Sequence, residues 1–182
     1  MCGVRMRKFS GRVESRVGVD GIGERGDVRV RKFRVEDVEA LLAISAESRE
    51  AANWSRESYE KLAIDEGASA FVVEVGGRIS GFLVGRRVED QAEVLNMAVR
   101  ADHRHKGEGS ALLSAALDEF GLRGAKNVYL EVRESNTRAI SFYERHGFSR
   151  SGRRKGYYRS PDEAAVTMER KLTAPPRLGP DS

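Results

Sequence analysis

The stretch that most restricts the fold is "AFVVEVGGRISGFLVGRRVEDQAEVLNMAVR", residues 70–100. Its apolar residues come in short runs rich in Val and Phe, broken at Gly76-Gly77 and again at Glu89-Asp90-Gln91. Paired glycines between two such runs supply the positive φ angles that a tight hairpin needs. Three successive strands in an antiparallel meander follow, so the chain must build a sheet. The continuation "GEGSALLSAALDEFGLRG" puts Leu112, Leu113, Ala116, Leu117 and Phe120 on one face of a helix. Such an amphipathic helix needs an apolar surface to cover, and the sheet provides it.

Upstream, "DVRVRKFR" sets Val28, Val30 and Lys32 against Arg29 and Arg31 and reads as a short strand. "VEDVEALLAISAES" has Val35, Val38, Leu41, Leu42 and Ser45 at helical spacing, and "NWSRESYEKLAIDEG" starts a second helix at Ser55 that runs to Gly67. Ser55 is a good N-cap, with Trp54 and Tyr59 placed as a hydrophobic staple. Downstream, Tyr129-Leu130-Glu131-Val132 is a strand and Ser135-Asn136 a turn. A helix carrying Tyr143 then stops at Gly147. "GFSRSGRRKGYYR" and "EAAVTMERKL" close the chain as a hairpin. The order β-α-α-β-β-β-α-β-α-β-β, without internal repeat, describes one mixed α/β domain.

With 182 residues, 40% hydrophobic and 33% charged, the chain has material for one core and enough polarity for water. No apolar run reaches the roughly 18 residues of a membrane span, so no membrane partner is expected. Cys2 is the single cysteine, which excludes an internal disulfide and a Cys-based zinc site and makes a reducing, cytoplasmic address the default. His103, His105 and His146 lack metal-ligand spacing, and no metal is expected. The formal charge of +4 is concentrated in residues 1–26, where Arg5, Arg7, Lys8, Arg12, Arg16 and Arg25 face Glu14, Asp20 and Glu24. That segment also holds six glycines and no apolar stretch of a signal peptide, and it reads as a flexible basic arm. It is either a solvated extension or a weak contact to nucleic acid or the ribosome; no specific nucleic-acid partner is expected. "TAPPRLGPDS", residues 173–182, reads as a disordered tail. Residues 27–172 remain as the folded domain.

The strand "EVLNMAV" runs into "RADHRHKGEGSALL", where Arg104, Gly107 and Gly109 give Arg-x-x-Gly-x-Gly directly before the long helix. Residues without side chains let successive backbone N–H groups converge on a phosphate, and the helix N-terminus adds partial positive charge. Arg104, His105 and Lys106 reinforce that field. A Walker A loop would need Gly-Lys-Ser/Thr, and a dinucleotide fingerprint would need glycine in place of Leu112. Taken singly, the residues have ordinary readings too. The loop is a glycine-rich helix start, Tyr143 packs with Ala139, Phe142 and His146, and Glu131 is a solvated strand residue beside Tyr129 and Arg133.

In combination these segments resemble the GNAT N-acetyltransferase family. Its pattern is an Arg/Gln-x-x-Gly-x-Gly/Ala loop after a strand, then a helix, a strand and Asn-x-x-Ala-x-x-x-Tyr-x-x-x-Gly-Phe. The second part stands here as Asn136, Ala139, Tyr143, Gly147 and Phe148. "NWSRESY", "VLNMAV", "LEVRESNTRAISFYERHGF" and "RRKGYY" are most similar to the ribosomal-protein alanine N-acetyltransferases (RimI-like) within it. The resemblance covers about residues 27–172. It implies the GNAT fold, an α/β (α+β mixed) architecture with a central mixed, mostly antiparallel sheet flanked by helices.

The resemblance also implies acetyl-CoA as cosubstrate. The coenzyme pyrophosphate falls on Arg104, His105, Lys106, Gly107, Glu108, Gly109 and Ser110, its acetyl and pantetheine portions on the backbone of Met97, Ala98 and Val99, and a further contact on Asn136. Glu131 takes the place of the proton acceptor and Tyr143 that of the proton donor. The types suit the chemistry: an α-amine of pKa about 8 must lose a proton before it attacks a thioester, and a phenol can protonate a departing thiolate. The acceptor implied is a protein or peptide N-terminus, with a ribosomal protein among the candidates. A small-molecule amine and a non-catalytic acyl-CoA-binding module are the alternatives. Trp54 borders the acceptor site in the family and is a secondary candidate for lining it. Tyr157-Tyr158 are followed by Arg159-Ser160-Pro161, whereas the family usually has proline directly after the paired tyrosines. The hairpin is also about two residues shorter, and it shapes the acceptor groove.

Overall fold

Gly76 and Gly77, at φ 56° and 78°, turn the chain between β2 (Ala68–Val75) and β3 (Arg78–Val88). Two positive φ angles in a row match the right-handed twist of the flanking strands. Glu89 at φ 55° and Asp90 then lead into β4 (Gln91–Val99), completing the expected meander. These residues belong to a computed structural model that describes residues 27–48, 52, 54–159 and 161–172. The proposed basic arm, residues 1–26, and the C-terminal tail, residues 173–182, lie outside the described residues.

The sheet has seven strands in the order β1-β2-β3-β4-β5-β7-β6, with β1 at Val28–Lys32, β5 at Asn127–Arg133, β6 at Ser149–Arg159 and β7 at Asp162–Lys171. Every neighbouring pair is antiparallel except β4 with β5. A parallel pair needs a crossover, and the long helix α3 (Glu108–Leu122) supplies it.

Both faces of β2 and β3 are covered, which is why their centres, Phe71–Val73 and Phe82–Val84, are apolar without a break. On one face Phe71, Val73 and Leu83 join Val128, Leu130, Val132 and Met168 under Leu112, Leu113, Ala116, Leu117 and Phe120 of α3. Ile140 and Tyr143 of α4 (Thr137–Arg145) close that core. On the other face Val72, Phe82, Val84 and Ala98 meet Val38, Leu41 and Ile44 of α1 (Val38–Glu47) and Tyr59 of α2 (Arg56–Lys61). The staple at α2 forms as expected: Ser55 accepts from the Ser58 N–H, and the Trp54 and Tyr59 rings lie 5.5 Å apart.

Two helix boundaries differ from expectation. The first helix opens with a single 3-10 turn at Val35–Asp37, leaving Val35 exposed, because the Asp37 carboxylate is held by Arg31 at 2.7 Å and accepts the Arg34 N–H at 2.8 Å. The second ends at Lys61 rather than Gly67. Beyond it Ile64 is 83% exposed and finds no apolar cover, so the chain continues in tight turns until Asp65 accepts the Gly67 N–H and β2 begins.

Candidate active site

β4 and β5 pair over Gln91–Val94 and Asn127–Leu130 and then part. At the same place the register of β4 against β3 slips: Gly85 opposes Val94, Val84 opposes Asn96, and Leu95 is the extra residue of a bulge. A bulge bends its strand and exchanges its faces. Ala92 and Val94 therefore point into the α3 core, whereas beyond the bulge Met97 and Val99 do so, and Asn96 and Ala98 face α1 and α2. From Leu95 to Val99 the β5-facing edge of β4 has no strand partner, so backbone groups of Met97, Ala98 and Val99 border an open gap. Asn96 fixes the far side, bonding both backbone groups of Ala52 and the Tyr59 hydroxyl.

Glu131 is the first β5 residue past the paired stretch. β5 alternates buried and half-buried positions, and Glu131 belongs to the half-buried set with Tyr129 and Arg133. It lines a cavity of about 340 Å³ together with Arg86, Glu93, Tyr129 and Thr167. Arg154 of β6 reaches over it. The Tyr157 phenol is pushed up to about 12, chiefly by its interaction with the Glu131 carboxylate. Burial and the Glu131 charge raise the Glu93 carboxyl above its ordinary value, with Arg154 pulling the other way. Trp54 does not line this cavity; its ring serves the staple.

Tyr143 lies on the opposite face of β5, in the core shared by Leu130 and Val132. The strand-turn-helix unit thus does not set Glu131 and Tyr143 side by side. Each faces one side of the sheet. The Tyr143 ring packs edge-on against Phe142 and Phe148, and its hydroxyl lies 3.8 Å from the Met97 sulfur. Burial pushes this phenol up to about 12, so it is protonated at any neutral pH. Met97 also abuts the start of α3: a Cβ on Gly109 would come within 3.3 Å of its methyl group and 3.6 Å of the Phe142 ring. Gly109 is small because α3, α4 and β4 converge on it.

Gly107, the N-cap of α3, has φ 93° and open space where a Cβ would stand. His105 is also left-handed, at φ 63°. Backbone N–H groups from His105 to Ser110 have no backbone acceptor among the described residues, which leaves a row of donors at a helix N-terminus. The side chains divide. His105 and Lys106 are exposed. Arg104 instead folds back, donating to the Val99 carbonyl at 3.1 Å and to Ser48 Oγ at 3.0 Å. Glu108 is 2% exposed and turned into the protein. Asn136 caps α4, its Oδ1 accepting the Ala139 N–H at 3.1 Å.

A loop of free N–H groups, a strand edge opened by a bulge and a buried phenol fit a coenzyme A thioester. The family model "Acetyltransferase (GNAT) family" matches residues 36–148. The chain belongs to the GNAT acetyltransferase family. It is 38% identical over 100 residues to the [ribosomal protein bS18]-alanine N-acetyltransferase of Escherichia coli K12, covering 54% of this chain and 68% of that protein. The crystal structure of the Escherichia coli ribosomal-protein-S18-alanine N-acetyltransferase superposes with a TM-score of 0.74 at 30% identity, over 84% of this chain and 99% of that one. Ard1 from Thermoplasma volcanium gives 0.75 at 31%, over 80% and 98%. This GNAT protein is accordingly an acetyl-CoA-dependent N-acetyltransferase.

Sequence reading missed two groups of this candidate site, Glu93 and Arg154, and placed Tyr157 in the groove-shaping hairpin without its contact to Glu131. All three meet at Glu131 only through pairings between distant strands. Glu93 left a signal, as the one charge in "EVLNMAV". Among the described residues no cluster of His, Cys, Asp and Glu could hold a metal ion, and no helix is long and apolar enough to cross a membrane.

Proposed function

We propose that this enzyme acetylates the N-terminal α-amine of a protein, with a ribosomal protein of the S18 kind as the first candidate. The observation that carries the reading is the placement of Glu131. It stands where β5 leaves β4, facing an open groove, while the loop of free N–H groups and Tyr143 lie toward the other face. A peptide N-terminus in the groove and a coenzyme from the helix side then meet in the gap. The relatives' names supply the acceptor class.

In this mechanism Glu131 draws a proton from the α-ammonium, directly or through water, and the free amine attacks the thioester carbonyl that acetyl-CoA supplies. The unpaired edge of Met97, Ala98 and Val99 stabilises the developing oxyanion and holds the pantetheine. The backbone of His105–Ser110, with His105 and Lys106, holds the pyrophosphate, and the amide nitrogen of Asn136 adds a contact. Tyr143 serves the leaving sulfur. With the phenol at about 12 against a thiol near 8.5, complete transfer is uphill by roughly 5 kcal/mol. The phenol therefore acts first as a hydrogen-bond donor to the departing sulfur.

Thiol release from acetyl-CoA, measured with a panel of N-terminal peptides and of small amines, tests the reading. Peptides beginning with alanine should accelerate release. Acceleration by small amines alone would overturn the acceptor assignment, and no release with any amine would overturn catalysis. Residues 27–172 form the catalytic unit in this reading, so deleting residues 1–26 should leave peptide turnover nearly unchanged.

A further inference from the structure

Glu108 was grouped with the coenzyme ligands by its place in the loop, yet its carboxylate points the other way. Ser80 Oγ donates to one oxygen at 2.6 Å, and His103 Nδ1 lies 2.9 Å from the other. Ser80 is 1% exposed and Glu108 2%. A carboxylate only accepts, so Nδ1 is the protonated ring nitrogen. The order of the three groups is informative. A nucleophilic serine would need the histidine between itself and the carboxylate. Here the glutamate is central and the serine is sealed off, so the cluster performs no acyl chemistry.

Its position gives it a different use. Ser80 sits on β3, and its carbonyl also accepts the Arg100 N–H at 2.8 Å, where the chain leaves β4. His103 lies in the 3-10 turn Ala101–His103 that opens the loop, and Glu108 is the first residue of α3. Three otherwise separate pieces, the sheet, the start of the loop and the helix N-terminus, are thus tied at one carboxylate. The tie spans the residues whose N–H groups are free, His105 to Ser110. A loop that presents bare backbone donors has little else to hold their directions.

We infer that the Glu108 side chain, clamped by Ser80 and His103, is a positioning group that sets the coenzyme loop in its binding geometry, its carboxylate touching no part of the coenzyme. This rests on reading that loop as the pyrophosphate site. A buried carboxylate beside a site for an anion would by charge alone weaken binding. Its removal therefore discriminates between repulsion and positioning.

The test is calorimetric binding of coenzyme A to the full chain and to Glu108→Gln, Ser80→Ala, His103→Ala and His103→Gln. Steady-state KM for acetyl-CoA and for the acceptor peptide, and melting temperature, are measured alongside. Glu108→Gln, Ser80→Ala and His103→Ala should each raise the Kd for coenzyme A about three- to thirtyfold, as expected for a lost buried hydrogen bond to a charged group. KM for acetyl-CoA should rise in parallel, with acceptor KM and saturated kcat within about twofold. His103→Gln keeps an N–H donor and should restore most of the affinity. Unchanged or tighter binding by Glu108→Gln would overturn the inference, as would variants that lose only melting temperature. Should Glu108→Gln fail to fold, the Ser80 and His103 variants decide. A wild-type chain that does not bind coenzyme A would instead overturn the reading of the loop itself.

Discussion

Arg154 on the edge strand β6 places a guanidinium nitrogen 2.5 Å from Oε1 of Glu131. The same guanidinium lies 4.6 Å from the centre of the Tyr157 ring. In the proposed mechanism an acceptor ammonium approaching Glu131 meets a cation already there. Arg154 is 61% exposed, so the pair is screened by water and weak. Arg154→Ala should therefore lower acceptor KM by up to about fivefold and leave KM for acetyl-CoA unchanged. Raised acceptor KM would show that Arg154 helps to hold the peptide.

Glu131→Gln and Tyr143→Phe should each lower kcat by roughly ten- to a thousandfold, the range for a lost proton-transfer group. The two differ in their structural consequences. The Tyr143 hydroxyl has one weak partner among the described residues, the Met97 thioether, so Tyr143→Phe should melt within a few degrees of wild type. Unchanged turnover in both variants would remove them from the mechanism while leaving the fold assignment intact.

The Tyr143 phenol also predicts alkaline behaviour. Its folded value of about 12 exceeds the unfolded value near 10, so the protonated form is favoured by folding. The stability linked to it is fully present below pH 10 and is lost as pH rises through 12, up to roughly 3 kcal/mol. Melting temperature should fall over that window in wild type and fall less in Tyr143→Phe. By the same reasoning Tyr143 contributes no basic limb to the rate profile below about pH 11.

Asn136 is both a helix cap and the proposed coenzyme contact, and the two are separable. Its Oδ1 caps α4, and Asn136→Ala should cost about 1 kcal/mol, or about 2 to 4 °C in melting temperature. Asn136→Asp keeps the cap and loses the amide N–H donors. Unaltered melting with raised KM for acetyl-CoA in Asn136→Asp would support the coenzyme contact; wild-type KM would reduce Asn136 to a cap.

What could be read in the sequence follows the range of the interactions. Ser55 with Trp54 and Tyr59, the face of α3, and the glycine turn before β3 depend on neighbours within a few residues, and each formed as expected. The proposed site divides along the same line. Gly107 and the free N–H groups belong to one short loop and were legible there. The inward turn of Glu108 depends on Ser80, and the arrival of Arg154 at Glu131 depends on β6 folding back beside β7. Nor does local sequence tell that Glu131 and Tyr143 face opposite sides of the sheet across a gap, because the bulge at Leu95 and the end of β4–β5 pairing arise from register.

That short pairing makes the sheet two antiparallel plates, β1–β4 and β5–β7, with a weld of Gln91–Val94 against Asn127–Leu130. The weld is the cheapest place to pull the sheet apart, since few backbone bonds cross it. A molecule lodged in the adjoining gap touches both plates and so resists their separation. A cosubstrate bound there, as proposed, would be a mechanical brace, and its departure after each turnover would leave the plates held by the weld, α3 and the shared core alone.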